Sequence, residues 1–188
     1  MIRNIAVFCG SSSGYDKVFS NETIKLGNLL AQNKIKLIYG GTNVGLMGQI
    51  ANTVLKNNIE VIGVIPYFIK DFGLVNNNLS ELIIVKTMFE RKEIMKNLAD
   101  AFIALPGGYG TMEELFEVLS MSQLDLHSKP IALFNINGYY DDLIIMLQKM
   151  KNNGFLKAIN LDLLIISDNA EELINKINNY KPIKTRKW

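Results

Sequence analysis

Cysteine and histidine are almost missing from this chain of 188 residues, which carries one of each, Cys9 and His127. A lone cysteine excludes an intrachain disulfide and fits a reducing compartment. One His and one Cys cannot make a His/Cys zinc centre. They are also far apart in sequence, so a Cys–His nucleophile pair has no local support. Cys9 ends an apolar run and reads as a buried core thiol; His127 sits in the polar turn His127-Ser128-Lys129-Pro130. Long apolar runs are missing too. None approaches the roughly 20 residues a membrane helix needs, and Met1 to Cys9 lacks the apolar stretch and cleavage site of a signal peptide. We therefore expect a cytoplasmic protein with no membrane partner. Charge of one sign is also lacking, with 20 basic residues against 18 acidic. Four of the basic ones (Lys181, Lys184, Arg186, Lys187) fall in the last eight residues, leaving 16 against 18 in the body. That is not the broad basic face of a nucleic-acid binder, so no nucleic-acid partner is expected. The basic tail, 181–188, reads as a solvated, frayed end.

What is present is a globular composition, 48% hydrophobic and 20% charged, long enough for one domain with its own core. Seven short apolar runs recur: Ile5–Cys9, Ile35–Tyr39, Val61–Ile65, Leu82–Val85, Ala101–Leu105, Ile131–Phe134 and Leu163–Ile166. They are mostly apolar at consecutive positions rather than alternate ones, the pattern of strands covered on both faces. Between them lie stretches with helical spacing, such as Leu115, Val118, Leu119 and Ser122, or Leu143, Ile144, Leu147 and Met150. The alternation predicts a single α/β domain over residues 1–180, a Rossmann-like doubly wound parallel sheet of about seven strands. The stretch Ile69–Ser80 has weak periodicity and reads as a loop or broken helix able to cover a site.

Ligands of open α/β sheets bind at the carboxyl ends of strands, and glycines gather there. Gly10-Ser11-Ser12-Ser13-Gly14 follows the first run, Gly40-Gly41 to Gly48 the second, and Pro106-Gly107-Gly108-Tyr109-Gly110-Thr111 the fifth. A glycine turn leading into a helix is a natural phosphate cradle: backbone approaches the anion, and free N–H groups and the helix dipole favour its charge. The bland alternative is a tight turn without a ligand, for which three glycines are more than needed. Neither Gly-rich segment is a P-loop, and neither is a dinucleotide fingerprint with its acidic partner. No cofactor and no metal are expected. Asp71-Phe72-Gly73 spells a kinase triad without the other kinase segments and is chance. Thr111-Met112-Glu113-Glu114 fits a helix capping box, with Thr111 as N-cap, and Thr87-Met88-Phe89-Glu90 fits another. Arg91-Lys92 would be a solvated pair in isolation. Beside a phosphate turn, two cations could hold a phosphate and balance charge.

Met88-x-x-Arg91-Lys92 followed by Pro106-Gly107-Gly108-x-Gly110-Thr111-x-x-Glu114 resembles the paired signature of the LONELY GUY (LOG) family, cytokinin riboside 5′-monophosphate phosphoribohydrolases often labelled lysine decarboxylases. The resemblance extends to Cys9-Gly10-Ser11-Ser12 and to Tyr39-Gly40-Gly41 through Gly48. It implies catalytic roles for Arg91 and Glu114 and a 5′-phosphate site at the Gly-Thr turn. It further implies a substrate pocket drawn from Ser12, Gly41, Met88, Lys92, Gly107, Gly108, Tyr109, Gly110, Thr111, Glu113 and Ser120. It also implies a homodimer with the pocket near the interface. One departure is Phe89, where many relatives carry His.

Three other readings compete. A decarboxylase would need pyridoxal phosphate with a Schiff-base lysine, and nothing marks one. A general AMP nucleosidase would share the signature. A non-enzymatic nucleotide or molybdenum-cofactor carrier would share the fold and the glycine turns, but would not need the Arg91/Glu114 pair.

Overall fold

The computed structural model describes residues 2–185. It contains β1 (Asn4–Phe8), α1 (Lys17–Gln32), β2 (Lys36–Tyr39), α2 (Gly45–Lys56), β3 (Val61–Pro66), the single-turn α3 (Tyr67–Lys70), β4 (Glu81–Val85) and α4 (Met88–Leu98). After these come β5 (Ala101–Ala104), α5 (Tyr109–Gln123), β6 (Ile131–Phe134), a short 3-10 turn at Ile136–Gly138, α6 (Asp141–Asn152), α7 (Ala158–Leu161), β7 (Leu164–Ser167) and α8 (Ala170–Asn178). The seven strands form one sheet in the order β4-β3-β2-β1-β5-β6-β7, and each neighbouring pair is parallel.

The runs of the central strands are nearly unbroken because these strands feed two cores. Ile5, Val7, Leu37, Tyr39 and Ile103 face α1, α2 and α8. Ala6, Phe8, Ile38, Phe102 and Ala104 face α4, α5 and α6. Alternate side chains of a strand point to opposite faces, so helices on both faces demand apolar residues at every position. Among the described residues, no helix is long and apolar enough to cross a membrane.

Strand order reverses between β1 and β5, and the loops after those two strands open a crevice at the carboxyl edge of the sheet. The stretch Ile69–Ser80 folds over this edge. Asn43 N–H donates to the Leu74 carbonyl, Asn76 N–H donates to that of Gly41, and Thr42 bridges Val75. The tail departs from the frayed end its composition suggests. Thr185 is buried, and its hydroxyl reaches the Ser122 and Gln123 carbonyls at the end of α5. Arg186 and Lys187 lie outside the described residues.

Candidate active site

Three loops and the first turns of α4 and α5 meet at the crevice. They enclose a cavity of about 440 Å³, lined by Gly10, Gly40, Met88, Arg91, Gly108–Thr111, Glu113 and Glu114 and roofed by Ile69 and Leu74. A second hollow of about 350 Å³ adjoins it and shares Gly10, Ser11 and Gly108; Ser12, Gly107 and Tyr139 lie there.

At the heart of the larger cavity, Arg91 Nη1 donates to Glu114 Oε1 at 2.8 Å. Both side chains are about nine-tenths buried. Arg91 is inward because it shares a face of α4 with Met95, one turn on, and that face packs on the sheet. Its Nε donates to the Val64 carbonyl of β3 at 3.1 Å. Its Nη2 lies against Gly40, where a Cβ would sit only 2.4 Å away. Any side chain at position 40 would therefore displace the guanidinium. Glu114 shares the buried face of α5 with Thr111, Leu115 and Val118. Burial raises its carboxyl above the ordinary glutamate range, opposed by Arg91 and reinforced by Glu113. Such a carboxyl is a stronger base than a solvated one. Cys9 lines the cavity floor, but burial and the nearby Glu114 charge push its thiol up, so it stays neutral.

The glycine turn departs from the capping-box expectation in an instructive way. The N-cap of α5 is Gly108, without a side-chain bond, and Thr111 is already inside the helix. By contrast, Thr87 caps α4 by accepting from Glu90 N–H, and Glu90 accepts from Lys86 N–H. Among the described residues, the N–H groups of Gly107, Gly108, Tyr109 and Gly110 donate to no protein acceptor. The glycines differ in their reasons. A Cβ on Gly107 would run into Thr111 Oγ1 at 2.1 Å, whereas at Gly108 and Gly110 it would meet nothing within 4 Å. Neither of those two has positive φ. The protein's own packing thus requires Gly107 but not Gly108 or Gly110, whose bareness leaves room for a ligand.

Other expected positions fall elsewhere. Lys92 lines neither hollow; it is paired with Glu113 and, at 3.2 Å, with Glu117, so only one cation of the Arg-Lys pair faces the cavity. Gly41 is structural: its φ is +81° and a Cβ would press on Ile65. The pocket glycine of that pair is Gly40. Ser120 opens onto a separate apolar groove between α5 and α6, with Phe116, Leu147 and Leu164. It lies nine residues beyond Thr111, roughly 13 Å along the helix. Phe89 is exposed and lines neither hollow, so the replacement of His there lies off the cavity wall. His127 is a structural residue, its Nε2 3.0 Å from the Val118 carbonyl and its Nδ1 accepting from Lys129 N–H; burial lowers its pKa. Tyr139 and Tyr140, which grip the glycine turn from the loop after β6, were not among the expected residues. The signal available was their place after a strand's carboxyl end.

Residues 47–177 match the family described as possible lysine decarboxylase. A probable cytokinin riboside 5′-monophosphate phosphoribohydrolase of Oryza sativa subsp. japonica, LOGL1, is 46% identical over 94% of this chain and 79% of its own. The Arabidopsis thaliana enzyme LOG7, named without the qualifier, is 41% identical over 96% of this chain and 83% of its own.

The chain belongs to the LOG family.

Solved structures share the fold of this LOG protein at much lower identity. The molybdenum cofactor binding protein of Rippkaea orientalis superposes with a TM-score of 0.72 at 22% identity, covering 95% of this chain and 96% of that one. The molybdenum cofactor carrier protein of Chlamydomonas reinhardtii gives 0.70 at 16%, covering 95% and 97%. These likenesses establish the Rossmann-like architecture alone. Among the described residues, no lysine lines the cavity. Among the described residues there is no cluster of His, Cys, Asp and Glu able to hold a metal ion.

Proposed function

We propose that this LOG protein hydrolyses the N-glycosidic bond of a cytokinin riboside 5′-monophosphate, an N6-modified AMP, giving the free base and ribose 5-phosphate. The observation that carries the reading is the buried Arg91–Glu114 contact of 2.8 Å in a cavity rimmed by an uncapped glycine turn. A carrier needs an anion cradle but no buried, basic carboxyl. The free N–H groups of Gly108, Tyr109 and Gly110 hold the 5′-phosphate, helped by the dipole of α5. Thr111 lies beside them. Cleavage builds positive charge on the ribose. Glu114 stabilises that charge and takes a proton from the attacking water. Arg91, permanently charged, holds Glu114 and the departing base in place. Val44, Met47, Ile69 and Leu74 supply apolar wall for a base substituent. The family resemblance adds a homodimer; Phe68 and Phe72, exposed in the segment whose Ile69 and Leu74 line the cavity, suit such a contact, and sedimentation would test it.

The test is incubation with AMP and with N6-isopentenyl-AMP, followed by chromatography for free base, with Glu114→Gln as control. Release that is lost in the variant supports the assignment. The ratio of the two rates separates a cytokinin enzyme from a general AMP nucleosidase. No release from either nucleotide by folded protein would overturn it in favour of a carrier.

A further inference from the structure

The glycine turn has a weakness that its own sequence creates. The peptide between Gly107 and Gly108 is flanked by two residues without side chains, so rotating it meets little steric resistance. Rotation would replace an N–H donor with a carbonyl oxygen at the place where an anion binds. Yet the carbonyls of this turn are all engaged. Leu105 O accepts from Tyr140 Oη at 2.5 Å, Pro106 O from Gly10 N–H at 3.0 Å, and Gly107 O from Tyr139 Oη at 2.7 Å. The Gly10 carbonyl is likewise occupied, by the N–H groups of Leu46 and Met47.

The two tyrosines come from the loop between β6 and α6. Asn137 and Gly138 there take left-handed backbone, with φ of 52° and 70°. Asn135 ties the loop by accepting from Tyr140 N–H and donating to Asp141. The Tyr139 ring stands edge-on to Phe19, at 5.8 Å between centroids, and to Tyr140, at 4.8 Å. Its hydroxyl is therefore held in place before any ligand arrives. In a trans peptide the N–H of one residue points opposite to the preceding carbonyl, and no peptide bond described here is cis. Fixing Gly107 O on Tyr139 thus fixes the direction of Gly108 N–H. Tyr140 cannot act this way, because the residue after Leu105 is proline and has no N–H.

We propose that Tyr139 is a positioning residue for phosphate recognition: it locks the Gly107–Gly108 peptide so that its N–H, not its carbonyl, is presented to the 5′-phosphate. This rests on the reading of the turn as a phosphate cradle. It makes the β6–α6 loop part of the machinery that distinguishes a nucleotide from a nucleoside.

The test is Tyr139→Phe in the full chain, compared with wild type and Tyr140→Phe. Ribose 5-phosphate and adenine serve as separate inhibitors. In Tyr139→Phe, KM for the nucleotide and the inhibition constant of ribose 5-phosphate should rise about fivefold, the equivalent of one net hydrogen bond. Inhibition by adenine and kcat should stay within about twofold. The melting curve should change little, because the ring packing is kept. Tyr140→Phe should lower the melting temperature without splitting the two inhibitors. Equal weakening of both inhibitors, a loss confined to kcat, or a larger loss of stability than in Tyr140→Phe would overturn the proposal. If wild-type protein does not respond to ribose 5-phosphate at all, the phosphate reading of the turn falls, and this inference with it.

Discussion

Two ion pairs join the same two helices one residue apart, and they have opposite characters. Arg91 meets Glu114 with both side chains about nine-tenths buried. Lys92 meets Glu113, whose side chain is more than half exposed, and shares Glu117 with Lys96. The carboxyl groups respond accordingly. At Glu114 burial outweighs Arg91 and the pKa is raised. At Glu117, one turn along α5, burial also pulls upward, but bonds from Lys96 and Lys92 outweigh it and the pKa is lowered. Both carboxyls face cations, so charge alone does not separate them. Desolvation does: it makes one carboxyl a usable base and leaves the other a tie between helices.

The largest expected effect comes from removing that base. Glu114→Gln should lower kcat by about 10³-fold, within the usual range for a general acid–base group, with nucleotide affinity kept within about threefold. Steady-state kinetics beside a binding isotherm would read both. Retention of more than a tenth of wild-type kcat would erase the distinction drawn between the two pairs.

Next in size is a substitution that replaces neither charged residue. In Gly40→Ala the new Cβ meets Arg91 Nη2 at 2.4 Å, so the guanidinium must move by about an ångström. A misplacement of that order can cost about 10²-fold. In an Arg91→Lys background, with no Nη2 to strike, the same alanine should cost little further. Unequal stability of the single and double variants, read by melting, would then report the clash even where activity is too low to measure.

The acid limb of the kcat/KM profile is a third handle. Glu114 must be ionised to act as base, so activity is lost as pH falls through its pKa. Because that pKa is raised, the limb should lie above the ordinary glutamate range. Displacing Arg91, which opposes the rise, should carry the limb to still higher pH in Gly40→Ala. Glu117→Gln should leave it in place. A wild-type limb within the ordinary range would mean that Glu114 is ionised far more easily than its burial allows.

The same contrast separates what a sequence writes locally from what only the fold brings together. The seven strands were legible because burial on two faces writes an unbroken apolar run, as in Ala101–Leu105. The three glycines of Pro106–Thr111 stand out in the sequence, but only the fold shows that Gly107 is needed for packing while Gly108 and Gly110 are not. Thr111 and Glu114 have capping spacing, but spacing does not say that helical backbone begins at Tyr109, two residues before Thr111. Gly40 and Gly41 are indistinguishable as letters; only the position of Arg91, brought from α4, shows which one borders the cavity. Arg91 and Lys92 are neighbours in the sequence, but adjacent helical residues point about 100° apart, so Arg91 turns inward to Glu114 and Lys92 to Glu113. Tyr139 carries no local signal in the sequence, because its partner, Gly107, lies 32 residues away.

The smallest expected effect tests the other side of the comparison. Lys92→Met removes the cation shared by Glu113 and Glu117 while keeping a stem of similar reach. If Lys92 only ties α4 to α5, stability should fall by about 0.5–1 kcal/mol, the scale of a partly exposed pair, and kcat should stay within about twofold. Lys92 also lowers the Glu114 pKa slightly, so the acid limb should move up by a small amount without loss at its plateau. If instead KM for the nucleotide rises tenfold with ribose 5-phosphate inhibition weakened in parallel, Lys92 reaches the phosphate when substrate is bound. Its pairing with Glu113 would then be a resting arrangement that substrate displaces.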